Sequence, residues 1–385
     1  MTSAYEILAQ LKRTASGPMT EARGAEPAFY WNEEVASAEE NAIFRHDWVC
    51  PGLASEIPDV GDYLTFSIAG EPVFSIRDSS GEINTYANIC RHRMMQLLQG
   101  RGRTSRVTCP YHAWSYNLQG QLVGAGHMNH SVGFDKTKIC LPQIRTEIWN
   151  GWIYITLNPD AQSMREALAP LNDVVARYGM EHYVAVLNEE HVWQTNWKLL
   201  TENFMEGYHF PVAYKATVGA WFAPNKTVFP DQSYDSFTYQ TFAKTHSARY
   251  GQAHPDNTRL TGEWRNTSIL PTVFPTHMYV LAPDHLWYLS LRPRGVGAVD
   301  VRFGVAIAPE VDAMLTDAAE RAAWIRDLVA FFEHVNGEDR HVVEGIYAGS
   351  RSSFASPGQL SWLEREIHDF QKYLAQRLAP VTQRG

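Results

Sequence analysis

The sequence predicts an α+β protein with two domains, and three patterns support this prediction. Between about residues 48 and 157, short apolar runs alternate with Gly, Pro and Asp, which is typical of an all-β module. Apolar and polar residues later alternate as in strands over 278–281, 287–291 and 299–307. Near the end, apolar residues at helical spacing share one face: Leu363, Ile367, Phe370, Leu374 and Leu378. A chain of 385 residues is long enough to bury two such cores.

These patterns divide the chain into three segments. Residues 1–40 are expected to form a helical segment that packs on the larger domain, 41–160 the β module, and 161–385 the larger domain. The turn signal Asn158–Pro159–Asp160 marks the end of the β module. In the larger domain we expect a sheet covered by helices.

Two helices of the larger domain matter for the site described below. One is predicted to begin near Leu199 and to carry residues 202–209, and another is predicted over Ala318–Val335. Ser361 and Glu364 have the spacing of a capping box, so the last helix is expected to begin there.

Composition and charge argue against several classes of protein. The net charge is −9 and no basic run is present, which argues against a nucleic-acid-binding protein. No window approaches the roughly eighteen apolar residues of a membrane span, and Met1–Lys12 lacks the pattern of a signal peptide. Cys50 and Cys140 are expected to be free, buried thiols. We therefore expect a cytoplasmic protein.

Two Cys–His pairs lie on two predicted short loops. The first reads C-R-H from Cys90 to His92, and the second reads C-P-Y-H from Cys109 to His112. Two thiolates on one iron and two imidazoles on the other are the ligand set of a Rieske [2Fe–2S] cluster, whose potential the neutral imidazoles raise. Such pairs also suit a structural zinc ion, which stays an alternative on the pairs alone.

A second group of candidate ligands lies between Glu206 and Tyr214. On a helix, Glu206 and His209 share a face because they are three residues apart. Pro211 is expected to end that helix, which lets position 214 turn back towards His209. The segment can thus present two side chains to one metal ion.

With these motifs the chain resembles the catalytic (α) component of the Rieske non-heme iron oxygenases, the ring-hydroxylating and oxidative-demethylating family. The resemblance covers both motifs and the order of the domains, hence most of the chain. It implies a Rieske [2Fe–2S] domain over 41–160 and a catalytic domain over 161–385, with an antiparallel sheet covered by helices. In the family, two His and one carboxylate hold a mononuclear Fe(II) and leave positions open for O2.

The resemblance also implies the iron ligands. The family motif E-N-x-x-[DE]-x-Y-H has a second His five residues after the first, so His209 matches the first ligand and Tyr214 stands at the second. A segment reading E-D-R-H-V-V-E resembles the family's E-D-x-x-x-x-E, in which the Asp binds iron. Asp339 is therefore the third candidate, with Glu338 and Glu344 as alternatives.

Tyr214 is the main departure from the family. A phenolate favours ferric iron and would hinder a cycle between Fe(II) and O2. A single base change converts His to Tyr, so Tyr214 is either native or a replacement for a His ligand. If it is native, either another His completes the site, the next in sequence being His246, or iron binding is impaired. We expect a chain that holds iron poorly.

Other positions take their interpretation from the same resemblance. Glu206 matches a carboxylate that bridges a cluster His and an iron-ligating His of neighbouring subunits, and Asn203 belongs to the same motif. Met94 and Ala113 stand where the family often has Gly, so the cluster loops are expected to shift slightly.

The resemblance implies a terminal oxygenase that uses O2 and receives electrons from a separate NAD(P)H-dependent reductase or ferredoxin. The sequence has no G-x-G-x-x-G between a strand and a helix and no flavin fingerprint, so an external reductase is expected. An acidic surface would suit basic patches on that partner. The family further suggests a homotrimer.

The substrate is expected to be a small organic molecule, with a betaine-like quaternary ammonium as the first choice. The Glu of E-N-F-M-E-G-Y-H is more like family members that act on small betaines than like arene dioxygenases. Aromatic residues could enclose the ammonium by cation–π contact: Trp221, Phe222, Trp264, Phe274, Tyr279 and Trp287. Two alternatives stay open, namely hydroxylation or cis-dihydroxylation of an aromatic acid, and an electron carrier with a degenerate iron site.

Overall fold

The computed structural model of the chain describes residues 3–214, 217–221, 224–244 and 248–379. Contacts divide the chain into two units, one of residues 44–164 and one that joins residues 1–43 to residues 165–385. We call them the Rieske unit and the catalytic unit. Phe222 and His246, both named above, lie outside the described residues.

The catalytic unit begins with two short helices, α1 (Ala4–Ser16) and α2 (Glu33–Glu39). Helix α1 starts at a capping box in which the Ser3 hydroxyl accepts from the backbone N–H of Glu6. Its apolar side chains are buried against the rest of the unit: Ile7, Leu8, Leu11 and Ala15.

The Rieske unit is built from short strands, which confirms the all-β prediction for this region. Its strands are β1 (Val49–Leu53), β2 (Asp62–Ile68), β3 (Glu71–Arg77), β4 (Ile83–Ala87), β5 (Arg101–Arg103), β6 (Val107–Thr108), β7 (Ser115–Tyr116), β8 (Leu122–Gly124), β9 (Gln143–Trp149) and β10 (Trp152–Thr156). Seven form one sheet in the order β1-β10-β9-β4-β3-β2-β5, and β6, β7 and β8 form a smaller one. The first Cys–His loop lies between β4 and β5, and the second joins β6 to β7.

The catalytic unit is a six-stranded antiparallel sheet with helices. Its strands are β11 (Val184–Trp193), β12 (Phe237–Ala243), β13 (Thr267–Val273), β14 (His277–Leu281), β15 (His285–Pro293) and β16 (Val299–Ile307). The order β11-β16-β15-β14-β13-β12 confirms the predicted antiparallel sheet. The helices after α2 are α3 (Met164–Ala167), α4 (Ala169–Val175), α5 (Trp197–Phe204), α6 (Phe210–Ala213), α7 (Pro309–Met314), α8 (Ala318–Ser350) and α9 (Arg365–Leu378).

Two helix predictions were wrong at their ends. The helix expected to carry residues 202–209 is α5, which ends at Phe204. It ends because the Glu206 carboxylate bonds the backbone N–H groups of Tyr208 and His209, which holds the segment as a turn. Helix α8 does not end at Val335 but continues to Ser350.

Helix α8 continues because its buried face continues. Leu328, Phe332, Val335, Asp339 and Val343 are buried at spacings of three and four residues. A glycine inside a helix costs roughly 1 kcal/mol, and this packing offsets it at positions 337 and 345. The predicted capping box is present, since the Ser361 hydroxyl accepts from the backbone and the Glu364 side chain accepts from the Ser361 N–H. It caps a 3-10 turn over Trp362–Glu364, and α9 itself begins only at Arg365.

In the described part of the chain, no helix has both the length and the apolar composition of a transmembrane span.

One fully buried ion pair joins the N-terminal segment to α5. Lys198 Nζ lies 2.5 Å from Glu39 Oε1, and the two side chains are 1% and 2% exposed. The Trp197 indole N–H donates to Glu39 Oε2 at 2.9 Å. The carboxylate is thus paired and hydrogen-bonded on both oxygens, which offsets the penalty of burying a charge.

Substituting Lys198→Met should destabilise the catalytic unit by about 3–5 kcal/mol, because Glu39 would stay buried without its cation. Urea-induced unfolding monitored by tryptophan fluorescence measures the change. The exposed pair Arg249–Asp327, at 60% and 65% exposure, provides the control: Asp327→Asn should change stability by less than about 0.5 kcal/mol. Equal effects of the two substitutions on stability would contradict the conclusion that Lys198 is needed to stabilise the buried Glu39 carboxylate.

Candidate functional site

The two Cys–His loops place their thiols and imidazoles on different sides. Cys90 and Cys109 are buried free thiols, whereas His92 and His112 are exposed, with ring centroids 4.7 Å apart at 68°. Trp114 stacks on the His92 ring at 4.7 Å and 8°. Two thiols on the inner side and two imidazoles on the outer side fit a cluster whose two irons take different ligands.

A tyrosine beneath the first loop contacts one of these thiols. The Tyr116 hydroxyl accepts from the backbone N–H of Arg91 at 3.0 Å and lies 3.3 Å from Cys90 Sγ. Burial and the Cys90 sulfur raise the pKa of Tyr116, so its hydroxyl stays protonated. Because the hydroxyl oxygen already accepts from Arg91, its proton is available to the sulfur. Such hydrogen bonds are one means by which a protein tunes a cluster's potential.

Both loops close with the same backbone geometry. Met94 donates its backbone N–H to the carbonyl of Cys90 at 3.1 Å, and Ala113 donates to the carbonyl of Cys109 at 3.1 Å. Met94 has φ +56° and Ala113 has φ +57°, in the left-handed region that favours glycine. Met94 and Ala113, which stand where the family often has Gly, therefore adopt the left-handed backbone conformation that favours glycine. They do so although both residues carry a side chain.

Ala113→Gly should stabilise the second loop by roughly 0.5–1 kcal/mol, because a left-handed conformation strains Ala and not Gly. Loss of the visible cluster absorbance in urea measures this effect. Ala125→Gly, in the same unit and without positive φ, is the matched control and should destabilise by a similar amount. A destabilising Ala113→Gly would contradict the strain argument.

In the catalytic unit, Glu206 fixes the orientation of His209. Glu206 Oε1 contacts His209 Nδ1, and Oε2 accepts from the backbone N–H of His209 at 3.0 Å. His209 Nε2 is buried and has no hydrogen-bond partner among the described residues. A carboxylate on one imidazole nitrogen with the other left open is the usual arrangement around a metal-ligating His.

Asp339 brings a carboxylate to the same place. Its Oδ1 accepts from the Asn203 amide at 2.6 Å and from the Tyr214 hydroxyl. Burial raises the pKa of Asp339 to about 6, although His209, Tyr214 and Asn203 act in the opposite direction. Asn203, at the end of α5, therefore orients the candidate ligand on α8.

Tyr214 lies beside His209, with ring centroids 4.8 Å apart at 78°. Burial and the adjacent Asp339 raise the pKa of Tyr214 well above its usual value, so the phenol stays protonated and donates to Asp339. Pro211 does not end a helix as predicted; it lies in the first turn of α6, where proline is tolerated. The short α6 is what returns the chain to His209.

The donor set therefore fits the family's iron at two positions and not at the third. His209 and Asp339 suit Fe(II), whereas a neutral phenol that donates to the neighbouring carboxylate does not. Within the described ranges, no three His, Cys, Asp or Glu side chains are grouped to hold one metal ion. The alternative carboxylates are engaged elsewhere: Glu338 accepts from Thr217, and Glu344 accepts from the Gln194 backbone N–H and from Arg340.

A cavity with about 570 Å³ of empty space, part of it open to solvent, is lined by Asn203 and Tyr214 and mainly by aromatic side chains. Of the six aromatic residues predicted for a cage, Trp221 and Trp287 line it. Phe222 is outside the described residues, and the other three pack elsewhere. Trp264 lies under Arg177, Phe274 packs on Phe370 and Tyr373, and Tyr279 stacks on His277.

Sequence reasoning missed most of the cavity wall. The unpredicted lining residues include Phe204, Phe210, Lys244, Tyr250, Val280, His285, Phe331 and Phe332. Phe204 lies within the quoted motif E-N-F-M-E-G-Y-H, and Phe210 lies between the candidate ligands His209 and Tyr214. Phe331 and Phe332 lie next to each other on a predicted helix, so these four positions carried a signal. Lys244 and His285 belong to no motif, and the sequence offered no means of finding them.

Two family models match the chain. The Rieske [2Fe–2S] domain matches residues 47–141, and the ring-hydroxylating α-subunit catalytic domain matches residues 180–380. The chain therefore belongs to the ring-hydroxylating α-subunit family, the Rieske oxygenases. The Rieske domain binds a [2Fe–2S] cluster, which sets the zinc alternative aside, and the catalytic domain of this family binds mononuclear iron.

Similar proteins include enzymes with different substrates. The glycine betaine monooxygenase oxygenase subunit of Chromohalobacter salexigens is 33% identical over 213 residues, 54% of this chain and 48% of that protein. The chain thus spans about half the length of the curated relatives it matches. A quaternary ammonium Rieske monooxygenase in complex with L-carnitine and the naphthalene 1,2-dioxygenase of Rhodococcus sp. each share the fold, with TM-score 0.78, 22% identity, and 98% and 99% coverage of the two chains.

The unmodified protein should contain well under one mononuclear iron per chain besides the cluster, because Tyr214 stands at the position of the second His ligand and its protonated phenol donates to Asp339. Tyr214→His should raise this to about one. Metal analysis after incubation with Fe(II) and removal of excess metal gives the ratio. Tyr214→Phe, which deletes the hydroxyl without adding a ligand, should stay below Tyr214→His. One full mononuclear iron per chain in the unmodified protein would refute the conclusion that Tyr214 impairs iron binding.

Proposed function

We propose that this chain is the terminal oxygenase component of a Rieske system, which uses O2 and electrons from a separate reductase to hydroxylate or oxidatively demethylate a small quaternary ammonium compound. The observation that carries the proposal is the shared cavity. Asn203 and Tyr214 of the candidate metal site form part of a wall that is otherwise mainly aromatic. A substrate held there lies beside the position where the family binds iron.

The residues of the chain have separate tasks in this proposal. Cys90, His92, Cys109 and His112 hold the cluster. His209 and Asp339 are the iron ligands that the chain retains, and when iron is bound it supplies the activation of O2. Glu206 keeps His209 Nε2 directed at that position, as Asn203 does for the Asp339 carboxylate.

The aromatic wall supports the quaternary ammonium class. An ammonium that carries methyl groups has no N–H to donate, so aromatic faces recognise it through cation–π attraction at about 0.5–2 kcal/mol each. Trp221 and Trp287 are available for such contacts, as is Tyr250. The glycine betaine relative favours the same class. The fold does not decide the matter, because a naphthalene dioxygenase is equally similar.

An aromatic acid is the alternative substrate, since a flat ring also fits an aromatic cavity. The products separate the two possibilities, because demethylation releases formaldehyde whereas ring dihydroxylation yields a cis-diol.

The proposal includes partners and location. The electron donor is an NAD(P)H-dependent reductase or a ferredoxin, and the cytoplasm is the compartment that supplies both. None of the four cysteines is in a disulfide, which suits a reducing compartment. Cys50 is buried as expected, whereas Cys140 is exposed. A homotrimer is part of the proposal, because in the family the Glu206 position bridges neighbouring subunits.

A second candidate function is electron transfer without oxygenation. It rests on Tyr214, whose hydroxyl bonds the Asp339 carboxylate that the iron would need. In that case the Rieske unit exchanges electrons while the catalytic unit remains inactive.

Turnover with a generic reductase, NADH, Fe(II) and a set of quaternary ammonium compounds tests the proposal. Tyr214→His should consume O2 and release formaldehyde in equal amounts with at least one of them, and the double variant Tyr214→His with Asp339→Asn should lose this activity by roughly tenfold or more. The unmodified chain should be much slower than Tyr214→His. Cluster reduction without substrate-dependent O2 uptake in Tyr214→His would favour the electron carrier.

A further inference from the structure

His285 lies on the face of the catalytic sheet that forms part of the cavity wall. It begins β15, and Trp287, two residues further along the strand, lies on the same face because side chains alternate. Both residues line the cavity. The His285 ring lies 4.9 Å from the ring of Phe332 and 6.3 Å from that of Tyr250, which line the cavity too. The imidazole is therefore a polar group in a wall that is mainly aromatic.

One nitrogen of this imidazole is held by a buried carboxylate. His285 Nδ1 lies 2.7 Å from Asp284 Oδ1, and both oxygens of Asp284 accept from the backbone N–H of Gly251 at 2.9 and 2.8 Å. Burial acts to raise the pKa of Asp284, but His285, Lys244 and the Gly251 N–H outweigh it, so this pKa lies below its usual value. An ionised carboxylate only accepts hydrogen bonds, so Nδ1 carries the hydrogen.

The other nitrogen of His285 is consequently a hydrogen-bond acceptor. Burial lowers the pKa of His285, against the opposite influence of Asp284, so the imidazole is neutral at neutral pH. A neutral imidazole with its hydrogen on Nδ1 has a lone pair on Nε2. Within the part of the chain that the structure describes, His285 contacts the Asp284 carboxylate and aromatic rings, and no donor bonds to Nε2.

Three other polar side chains of the wall have partners within the protein. Asn203 and Tyr214 both donate to Asp339, and Lys244 donates to a backbone carbonyl at 3.4 Å. An acceptor that is left unpaired beneath an apolar ligand costs free energy. A ligand that supplies a donor to His285 Nε2 is therefore preferred to one that does not.

The chemistry of this acceptor selects the kind of donor. A quaternary nitrogen carries no N–H, and a carboxylate carries no hydrogen at neutral pH, so neither bonds to Nε2, whereas a hydroxyl does. Trp287 and His285 are about 7 Å apart along the strand. One small molecule can therefore place its ammonium on the indole and its hydroxyl on the imidazole.

We propose that His285 accepts a hydrogen bond through Nε2 from a hydroxyl group of the substrate, so that the cavity prefers quaternary ammonium alcohols to quaternary ammonium compounds without a hydroxyl. This inference rests on the proposed function in one respect, namely that the cavity is the substrate site. Asp284 acts through His285, because it holds the imidazole in the tautomer that accepts.

Calorimetric titration of the cluster-loaded full-length protein tests this, with binding as the readout. Choline and trimethyl(propyl)ammonium share the trimethylammonium and have similar shapes, but only choline has a hydroxyl. The unmodified protein should bind choline at least about fivefold more tightly, as expected for one neutral hydrogen bond in a desolvated site. His285→Asn, whose shorter amide keeps a donor near Nδ1 and has no atom at Nε2, should reduce this ratio to near one by weakening choline.

Two control variants separate this role from a general effect on the cavity. Trp287→Leu removes an aromatic face for the ammonium, so it should weaken both ligands by similar factors and preserve their ratio. His182→Asn, at a position where the side chain is 63% exposed, should change neither affinity. A folded His285→Asn that retains the full preference for choline would overturn the inference, because the hydroxyl would then be bound by another group.

A third ligand separates this inference from the proposed function, namely the neutral alcohol in which a carbon replaces the nitrogen of choline. If this alcohol binds with dependence on His285 and choline does not bind, the hydroxyl site stands and the quaternary ammonium proposal fails. If choline and trimethyl(propyl)ammonium bind the unmodified protein equally well, the role of His285 is refuted and the quaternary ammonium proposal stands. Binding of none of the three refutes both. The comparison of ligands on the unmodified protein decides the point even if His285→Asn does not fold.

Discussion

The proposed iron chemistry of the catalytic unit depends on the hydrogen bond from Tyr214 to Asp339. A buried carboxylate requires partners, and here the phenol and the Asn203 amide provide them. The same bond therefore stabilises the structure without metal and occupies an oxygen that the iron would use. In the proposed ligand set, iron would have to displace this hydrogen bond, and Tyr214 would not be a third ligand while its phenol stays protonated. Tyr214 thus stabilises the buried Asp339 carboxylate, and we propose that it disfavours iron binding for the same reason.

The scaffold around this bond retains what an iron site needs. Asp339 lies in the interior of a helix of 33 residues, on the face that packs into the unit. The turn between α5 and α6 places His209 by means of the Glu206 side chain, which bonds both the backbone and the imidazole. Because neither α8 nor this turn includes Tyr214, a single substitution at 214 is expected to complete the ligand set. In the Rieske unit, two loops with the same hydrogen bonds present the cluster ligands independently.

Local motifs predicted more of the molecule than tertiary features did. The roles of Cys90 and Cys109 and the capping box at Ser361 depend on a few residues that are adjacent in sequence, and such patterns can be recognised directly. The end of α5 could not be predicted in this way, because a side chain that bonds backbone N–H groups two and three residues ahead decides it. Helix α8 continues through Gly337 and Gly345 because the packing of its buried face outweighs the low helix propensity of glycine.

The cavity shows the limit of sequence reasoning most clearly. Four of the aromatic residues predicted for the cage behave differently: Trp221 and Trp287 line the cavity, whereas Phe274 and Tyr279 pack in the core. Whether an aromatic side chain faces the cavity or the core depends on the register of its strand and on the topology of the sheet. The sequence pattern alone specifies neither. Lys244 carried no signal, because a single lysine after a strand is normally a solvated one.

Anomalous scattering at the iron edge tests the central claim most directly, using crystals of the unmodified protein grown with excess Fe(II). We expect strong peaks for the two cluster irons and no peak between His209 Nε2 and Asp339, with the Tyr214 hydroxyl still hydrogen-bonded to the carboxylate. A third peak of full occupancy, with the Tyr214 oxygen as a ligand, would contradict it.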